Sequence, residues 1–343
     1  MTAPGRVALV PSPDAAADAG RPQDGPVPIL YIGGMGRSGS TLLEVMVSRV
    51  PGAWPVGELR YLWERGPVED VLCSCGARFS ACPFWREVGD VAFGGWGELD
   101  VERVLEIARH TDRHRYLPLL LWPRLSPDFE RRLSEYGEIL RRLYSAIRTV
   151  SGCEVVVDST KDPPYAYLLR AVDGLDVRLV HLVRDSRGVA YSWTKSVVRP
   201  EVTERVAYMA RVPPARMALR WVDYNLLFHG FGARSAGASS RMFLRYESLI
   251  SDPRAALRSI LAHGGLTVTP ETLAFLDGGE MRRAELHTIS GNPLRFEQGT
   301  LKLRLDEEWK RRMKRRDRLV VLAVTWPFLV RYGYLGRAPR TNA

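Results

Sequence analysis

Lysine is nearly missing from this chain: of its 49 basic residues only five are Lys, at 161, 195, 302, 310 and 314. The Arg excess reads as the codon bias of a GC-rich bacterial genome, so its abundance carries no functional meaning by itself. Cysteine is sparse as well, four in 343 residues, which excludes a disulfide scaffold. Long apolar runs are lacking. The best candidate, Leu319–Val330, is twelve residues interrupted by Pro327, short of the roughly 20 that a membrane-spanning helix requires. It reads as a buried C-terminal helix. Residues 1–27, rich in Ala, Pro, Gly and Asp, show neither a basic n-region nor a continuous apolar stretch. No secretory signal is expected there, but a disordered tail in a cytoplasmic protein. What is present is positive charge, formally +10, which suits a polyanionic ligand. It is spread along the chain rather than gathered into a tail, which argues against nucleic acid.

Residues 29–43 carry the most information. An apolar run, Ile29 to Ile32, ends in a glycine-rich turn that opens directly into a helix pattern. Such a strand–loop–helix aims backbone N–H groups at one point and adds the positive end of the helix dipole. It is a phosphate cradle. Gly34-x4-Gly39-Ser40-Thr41 has the spacing of a P-loop, but Ser40 stands where a nucleotide triphosphatase needs Lys. The cation is Arg37, inside the loop. The ligand expected is therefore phosphorylated but not ATP.

Residues 40–49 read as a helix stopped by Pro51-Gly52, followed by a loop with Gly57-Glu58. Residues 67–100 read as irregular, and 101–109 and 128–150 as helices. Parallel-strand patterns recur at Glu154–Asp158 and Val177–Val183, and more weakly at Arg241–Tyr246. Short apolar strands separated by helical stretches imply a doubly wound α/β fold: a P-loop-type three-layer sandwich with a central parallel sheet flanked by helices. One domain over 28–338 is expected, with 61–150 as an inserted helical lobe and 339–343 as a tail. Ligands of such sheets bind at the carboxyl ends of the strands. Arg37, Asp158 to Lys161, Arg184, Asp185 and Tyr246 should therefore converge.

Three segments together resemble the sulfotransferases that use 3′-phosphoadenosine 5′-phosphosulfate (PAPS). Gly34-Met-Gly-Arg-Ser-Gly-Ser-Thr41 is similar to their 5′-phosphosulfate loop. Arg184 and Ser192, eight residues apart, resemble the 3′-phosphate motif, and Tyr246-Glu-Ser-Leu-Ile-Ser-Asp-Pro253 resembles a segment whose Tyr lies by the nucleotide. The Arg in the loop, Gly57-Glu58 placed 21 residues after Arg37, and Lys161-Asp162-Pro163 are closest to the tyrosylprotein sulfotransferases and their bacterial relatives. The resemblance implies PAPS as sulfuryl donor, 3′-phosphoadenosine 5′-phosphate (PAP) as product and no metal in the reaction. It implies Glu58 as general base, Arg37 and Lys161 as catalytic cations, and Gly36, Arg37, Ser38, Gly39, Ser40 and Thr41 around the 5′-phosphate. Arg184, Ser192 and Tyr246 would complete the nucleotide site. The turn-rich segment His287–Gly299 would be a loop folding over the nucleotide, with Ser290 toward the sulfonate and Arg295 toward the 3′-phosphate. The acceptor expected is a hydroxyl of a small molecule, glycan or secondary metabolite. Oligomeric state is not legible. A P-loop small-molecule kinase, with Asp158 positioning Mg²⁺ for ATP, is the alternative.

Other residues leave their roles open. Cys73-x-Cys75-x6-Cys82 offers three ligands of a metal site at an unusual spacing, or else free structural thiols or a redox pair. His110 and His114 read as a solvated helix face, and His181 and Cys153 as core. Lys195 stands near the 3′-phosphate motif. Tyr61, Trp63, Trp85, Tyr116 and Trp122 either line an acceptor pocket or pack the core.

Overall fold

The computed structural model describes residues 25–200, 207–232, 241–297 and 299–336. The tail expected over 1–27 lies outside these up to residue 24, and that over 339–343 lies outside them entirely. Five strands form one sheet: β1 (Val27–Gly33), β2 (Ala53–Gly57), β3 (Val155–Lys161), β4 (Leu175–Val183) and β5 (Arg241–Arg245). All pairs are parallel, in the order β2-β3-β1-β4-β5.

Alternation in β1 explains the layers. Ile29 and Tyr31 belong to one buried cluster, Leu30 and Ile32 to another, and all four are fully buried. With a side-chain period of two, a strand covered on both faces must be apolar throughout. The helix α1 (Ser40–Val47) joins β1 to β2 and packs on the Leu30 face. A third cluster forms under α7 (Ser186–Ser192), α8 (Pro214–Gly232) and α12 (Arg315–Arg331). The expected α/β architecture is the one observed.

Between β2 and β3 the chain builds the inserted helices α2 (Pro83–Phe93), α3 (Val101–Arg109), α4 (Leu117–Leu121) and α5 (Pro127–Ser151). In α5, Ser126 caps the Phe129 N–H at 3.3 Å, and Gly152 ends the helix in the left-handed region. Leu133, Tyr136, Leu140, Leu143 and Ile147 form its buried stripe. The insertion shares its core with the Ile29–Tyr31 face of the sheet. The helices α6 (Pro163–Arg170), α9 (Tyr246–Ser251), α10 (Pro253–Gly264) and α11 (Glu308–Arg312) and the hairpin β6 (Glu280–Arg282)–β7 (Thr300–Lys302) complete the fold.

Three sequence expectations need correction. The stretch 67–100 contains α2, begun by Pro83 at its first position. The segment before Glu58 contains β2, whose Pro55 is tolerated because the strand is at the sheet edge. The C-terminal helix α12 is not buried all round: Val321, Thr325 and Leu329 are covered, whereas Leu319, Trp326 and Val330 are exposed. Among the described residues no helix is long and apolar enough to cross a membrane.

Trp63 anchors the insertion: it is 1% exposed, and its indole N–H donates to the Tyr136 hydroxyl at 3.0 Å. Trp63→Ala is expected to cost about 3–5 kcal/mol. Because insertion and sheet share one core, urea unfolding should remain a single transition. A separate early transition would contradict that.

Candidate active site

The cradle begins where β1 releases the chain. Gly34 sits at φ +148°, and a Cβ there would lie 2.2 Å from the Leu182 carbonyl oxygen, so only glycine fits. Arg37 adopts φ +74° despite its side chain. Two donors hold the loop carbonyls: the Trp193 indole N–H on Gly36 at 3.0 Å and an Arg184 N–H on Arg37 at 3.1 Å. The helix α1 then starts with no side-chain cap and no acidic residue in its first turn. Its first N–H groups have no intrahelical acceptor, and together with the helix dipole they favour an anion. Among the described residues, Arg37 Nε and Ser38 Oγ are buried without hydrogen-bond partners, and burial pulls the Arg37 pKa down. A charged acceptor beside Arg37, which lines the cavity described below, would relieve Nε.

The other strand ends close in on this point. Glu58 follows β2, and its N–H donates to the Ser290 carbonyl at 3.4 Å. Lys161 ends β3 at φ +69°. Its Nζ donates to Glu58 Oε1 at 2.5 Å and to the Ser159 carbonyl at 2.8 Å. Both members of the pair are largely buried, at 13% and 16% side-chain exposure. Arg184, just past β4, pairs with Asp306 at 3.0 Å, and its guanidinium lies 4.8 Å over the Tyr246 ring. That ring presses on the loop: a Cβ at Gly39, φ +98°, would come within 2.5 Å of it.

The result is a cavity of about 520 Å³ at the carboxyl edge of the sheet. Arg37, Lys161, Arg184, Arg220, Lys302 and Arg304 line it against Glu58, Asp162 and Asp306, a surplus of three positive charges. Among the expected site residues, Gly36, Arg37, Gly39, Ser40, Thr41, Glu58, Lys161, Arg184, Ser192 and Tyr246 all line this one cavity. Ser38 and Ser290 are buried with unpartnered hydroxyls and do not line it. Arg295 does not line it either. Its guanidinium donates to the Thr288 and Leu72 carbonyls and packs on Phe296, while Asn292 and Leu294 of the same loop reach the cavity.

Lys195 is engaged outside the cavity, with Glu308. Asp158 is fully buried; it accepts from the Tyr144 hydroxyl and, at 2.7 Å, from the Thr160 N–H. In the Tyr246–Pro253 segment, Glu247 accepts from the Tyr334 hydroxyl at 2.5 Å, and Asp252 caps α10 through the Ala255 N–H at 3.0 Å. Of the five aromatic candidates only Tyr61 lines the cavity; Trp63 and Trp85 are core, Tyr116 packs on Phe129 and Trp122 is exposed. His181 is core, its Nε2 bonded to Asn225 at 2.9 Å, and Cys153 is buried.

The sequence reading missed Lys302, Arg304 and Asp306. A signal existed: Leu301, Leu303 and Leu305 alternate with these three polar residues. All three leucines pack on the core, Leu301 also reaching the cavity, while the polar set lines it.

Beneath the cradle, burial raises the Glu44 pKa to about 7 and that of Asp158 to about 6. A carboxyl whose folded pKa lies above its unfolded value binds its proton more tightly when folded. Stability is then full below the unfolded pKa and falls as pH rises toward the folded one. Unfolding stability should decline between pH 4.5 and about 7, the interval spanned by Glu44. Glu44→Gln should remove a part of that decline on the order of 3 kcal/mol. Urea titrations at both ends of the interval check this; an unchanged slope in the variant would exclude Glu44 as the source.

Residues 28–270 match the Sulfotransferase family. No curated protein matches the chain. Among solved structures, the sulfotransferase domain from the Synechococcus PCC 7002 olefin synthase is 20% identical; the match covers 89% of this chain and 95% of that one, with a TM-score of 0.49. The sulfotransferase domain from the curacin biosynthetic pathway is 16% identical over 87% and 96%, with a TM-score of 0.45. Sulfotransferase STF9 from Mycobacterium avium is 13% identical over 96% and 81%, with a TM-score of 0.44. The assignment rests on the matched segment, which runs from β1 past α10 and takes in the cradle, the Glu58–Lys161 pair, Arg184 and Tyr246: this chain belongs to the sulfotransferase family.

Proposed function

We propose that this protein transfers the sulfuryl group of PAPS to a hydroxyl of a small molecule, glycan or secondary metabolite. The observation that carries this reading is the Glu58–Lys161 pair, 2.5 Å apart, beside the uncapped start of α1 in one cationic cavity. PAPS supplies a sulfuryl group already attached to a good leaving phosphate. The fit is one of charge and of donors: orphaned Arg37 Nε, free helix N–H groups and a surplus of positive charge.

In this reading the N–H groups of α1, with Ser40, Thr41 and the loop from Gly36, hold the 5′-phosphate. Arg184 and Ser192 take the 3′-phosphate, with Tyr246 as the wall between loop and Arg184. Sulfuryl transfer resembles phosphoryl transfer, so positioning and charge stabilisation supply most of the rate. Arg37 and Lys161 stand where negative charge develops on the leaving phosphate and the sulfonate oxygens. Glu58 accepts the proton of the attacking hydroxyl. Lys161 orients that carboxylate, and the Ser290 carbonyl fixes the backbone beneath it. Ser290 and Arg295 thereby act on the loop that carries them. Tyr61 and Tyr224, on the lobe side of the cavity, face the acceptor.

The kinase alternative is weakened by Asp158, whose carboxylate is enclosed by Tyr144 and Thr160 and does not line the cavity. Ser40 in place of the P-loop Lys points the same way.

The test is PAP release from PAPS in the presence of a panel of phenols, sugars and aliphatic alcohols. Glu58→Gln should lower turnover by about 10²–10⁴-fold while leaving calorimetric PAP affinity nearly unchanged. A Gln variant that turns over at the parent rate would remove Glu58 from the mechanism.

A further inference from the structure

We infer that Cys73, Cys75, Cys82 and His287 form a structural zinc site that clamps the loop over the active-site cavity to the inserted lobe. The three thiols stood out in the sequence as an incomplete ligand set. The fold supplies the fourth ligand from more than 200 residues away: the His287 ring reaches Cys82 and Cys73 across sequence separations of 205 and 214.

Four of the six ligand-to-ligand distances are near the edges of a tetrahedral centre. All four ligand atoms lie within 4.8 Å of one another. Cys82 Sγ stands 3.8 Å from both Cys73 Sγ and Cys75 Sγ, and His287 Nδ1 stands 3.3 Å from Cys82 Sγ and 3.9 Å from Cys73 Sγ. A tetrahedron with Zn–S of about 2.3 Å and Zn–N of about 2.05 Å has edges of roughly 3.8 Å between sulfurs and 3.6 Å from sulfur to nitrogen. A disulfide would need sulfurs about 2.05 Å apart, and it would use neither the third thiol nor the imidazole.

The surroundings hold the ligands in place. The segment from Leu72 to Arg78 is a tight turn: its ends form an antiparallel bridge, and the Cys73 N–H donates to the Ala77 carbonyl at 2.8 Å. Gly76, at φ +90°, lets the backbone reverse between the ligands. The His287 ring stacks on Phe84 and Trp54, and its own carbonyl accepts the Trp85 indole N–H at 3.0 Å. Ser74 links the turn to the loop three times. Its N–H donates to the Thr288 carbonyl at 3.0 Å, its Oγ donates to the Leu286 carbonyl at 2.6 Å, and its Oγ accepts the Thr288 N–H at 2.8 Å.

Donor type fixes the metal class. Three thiolates and an imidazole select zinc over hard cations, and four protein ligands leave no open position for catalysis. The role is mechanical. Three residues beyond His287, the Ser290 carbonyl accepts the Glu58 N–H, and Asn292 and Leu294 line the cavity. The site ties that stretch to the lobe, whatever the donor and acceptor prove to be. It stands independently of the proposed reaction.

The test uses the full chain, purified without chelator or added metal. Elemental analysis should find about one zinc per chain. After removal of zinc, added Co²⁺ should give the intense visible bands of tetrahedral cobalt and a near-ultraviolet thiolate-to-cobalt charge-transfer band. His287→Cys should keep the metal and a tetrahedral cobalt spectrum, with the visible bands moved to longer wavelength and the charge-transfer band strengthened by the fourth thiolate, whereas His287→Ala should weaken metal binding by on the order of 100-fold or more. Less than about a tenth of an equivalent of zinc together with no thiolate–cobalt band would overturn the proposal. Stoichiometric iron would overturn the choice of zinc. Unchanged affinity in His287→Ala would remove His287 from the site. None of these readouts depends on turnover, so they separate this inference from the reading of the reaction.

Discussion

The parallel register of β1 against its two neighbours is the constraint on which the site depends. Gly33 lies opposite Lys161 on β3 and opposite His181 on β4. That pairing brings the cradle, the Lys161 ammonium and the start of the Arg184 turn to one edge of the sheet. A slip of one residue would turn Ile29 and Tyr31 into the layer that holds Leu30 and Ile32, undoing both cores at once. Register is therefore enforced by burial on both faces, and the geometry of the cavity is inherited from it. Catalytic precision here is a by-product of packing.

Within that frame, cations of the cavity rest on carboxylates. Lys161 rests on Glu58, and Arg184 rests on Asp306 while covering the Tyr246 ring. Arg37 is half-buried; among the described residues its Nε has no partner, and its other end donates to the Met209 sulfur at 2.9 Å. In the proposed reading a polyanionic donor adds phosphate and sulfonate oxygens to the remaining donors of Lys161 and Arg184, with Glu58 kept on Lys161, and gives Arg37 Nε an acceptor. Burial of unsatisfied donors costs stability, and a binding site is where that cost is recovered. The zinc clamp inferred above would serve the same end from the opposite side, fixing the stretch whose carbonyl holds the Glu58 backbone.

Much of this was legible in the sequence. The strands β1, β3 and β4 announce themselves by short apolar, β-branched runs, and the helices at 101–109 and 127–151 by their period. The cradle was readable because its glycines and Ser-Thr pair are consecutive. What escaped was of two kinds. Local signals were masked: Pro55 hid an edge strand, and cysteines and glycines flanking 83–93 hid a helix. Long-range encounters leave no trace in spacing, so nothing near His287 marks it as a neighbour of the three thiols, or Asp306 as the partner of Arg184. The placement of Arg295 escaped for a third reason. A long flexible side chain bonded to backbone carbonyls looks, in sequence, the same as one aimed at a phosphate.

The central claim is that the cavity takes a nucleotide carrying 5′- and 3′-phosphates rather than a triphosphate, and calorimetric titration tests it most directly. PAP should bind without metal with a measurable dissociation constant, adenosine 5′-phosphate should bind markedly more weakly, and ATP with Mg²⁺ should give no heat. Tight binding of ATP with Mg²⁺ alongside silence from PAP would contradict the account and return the site to phosphoryl transfer.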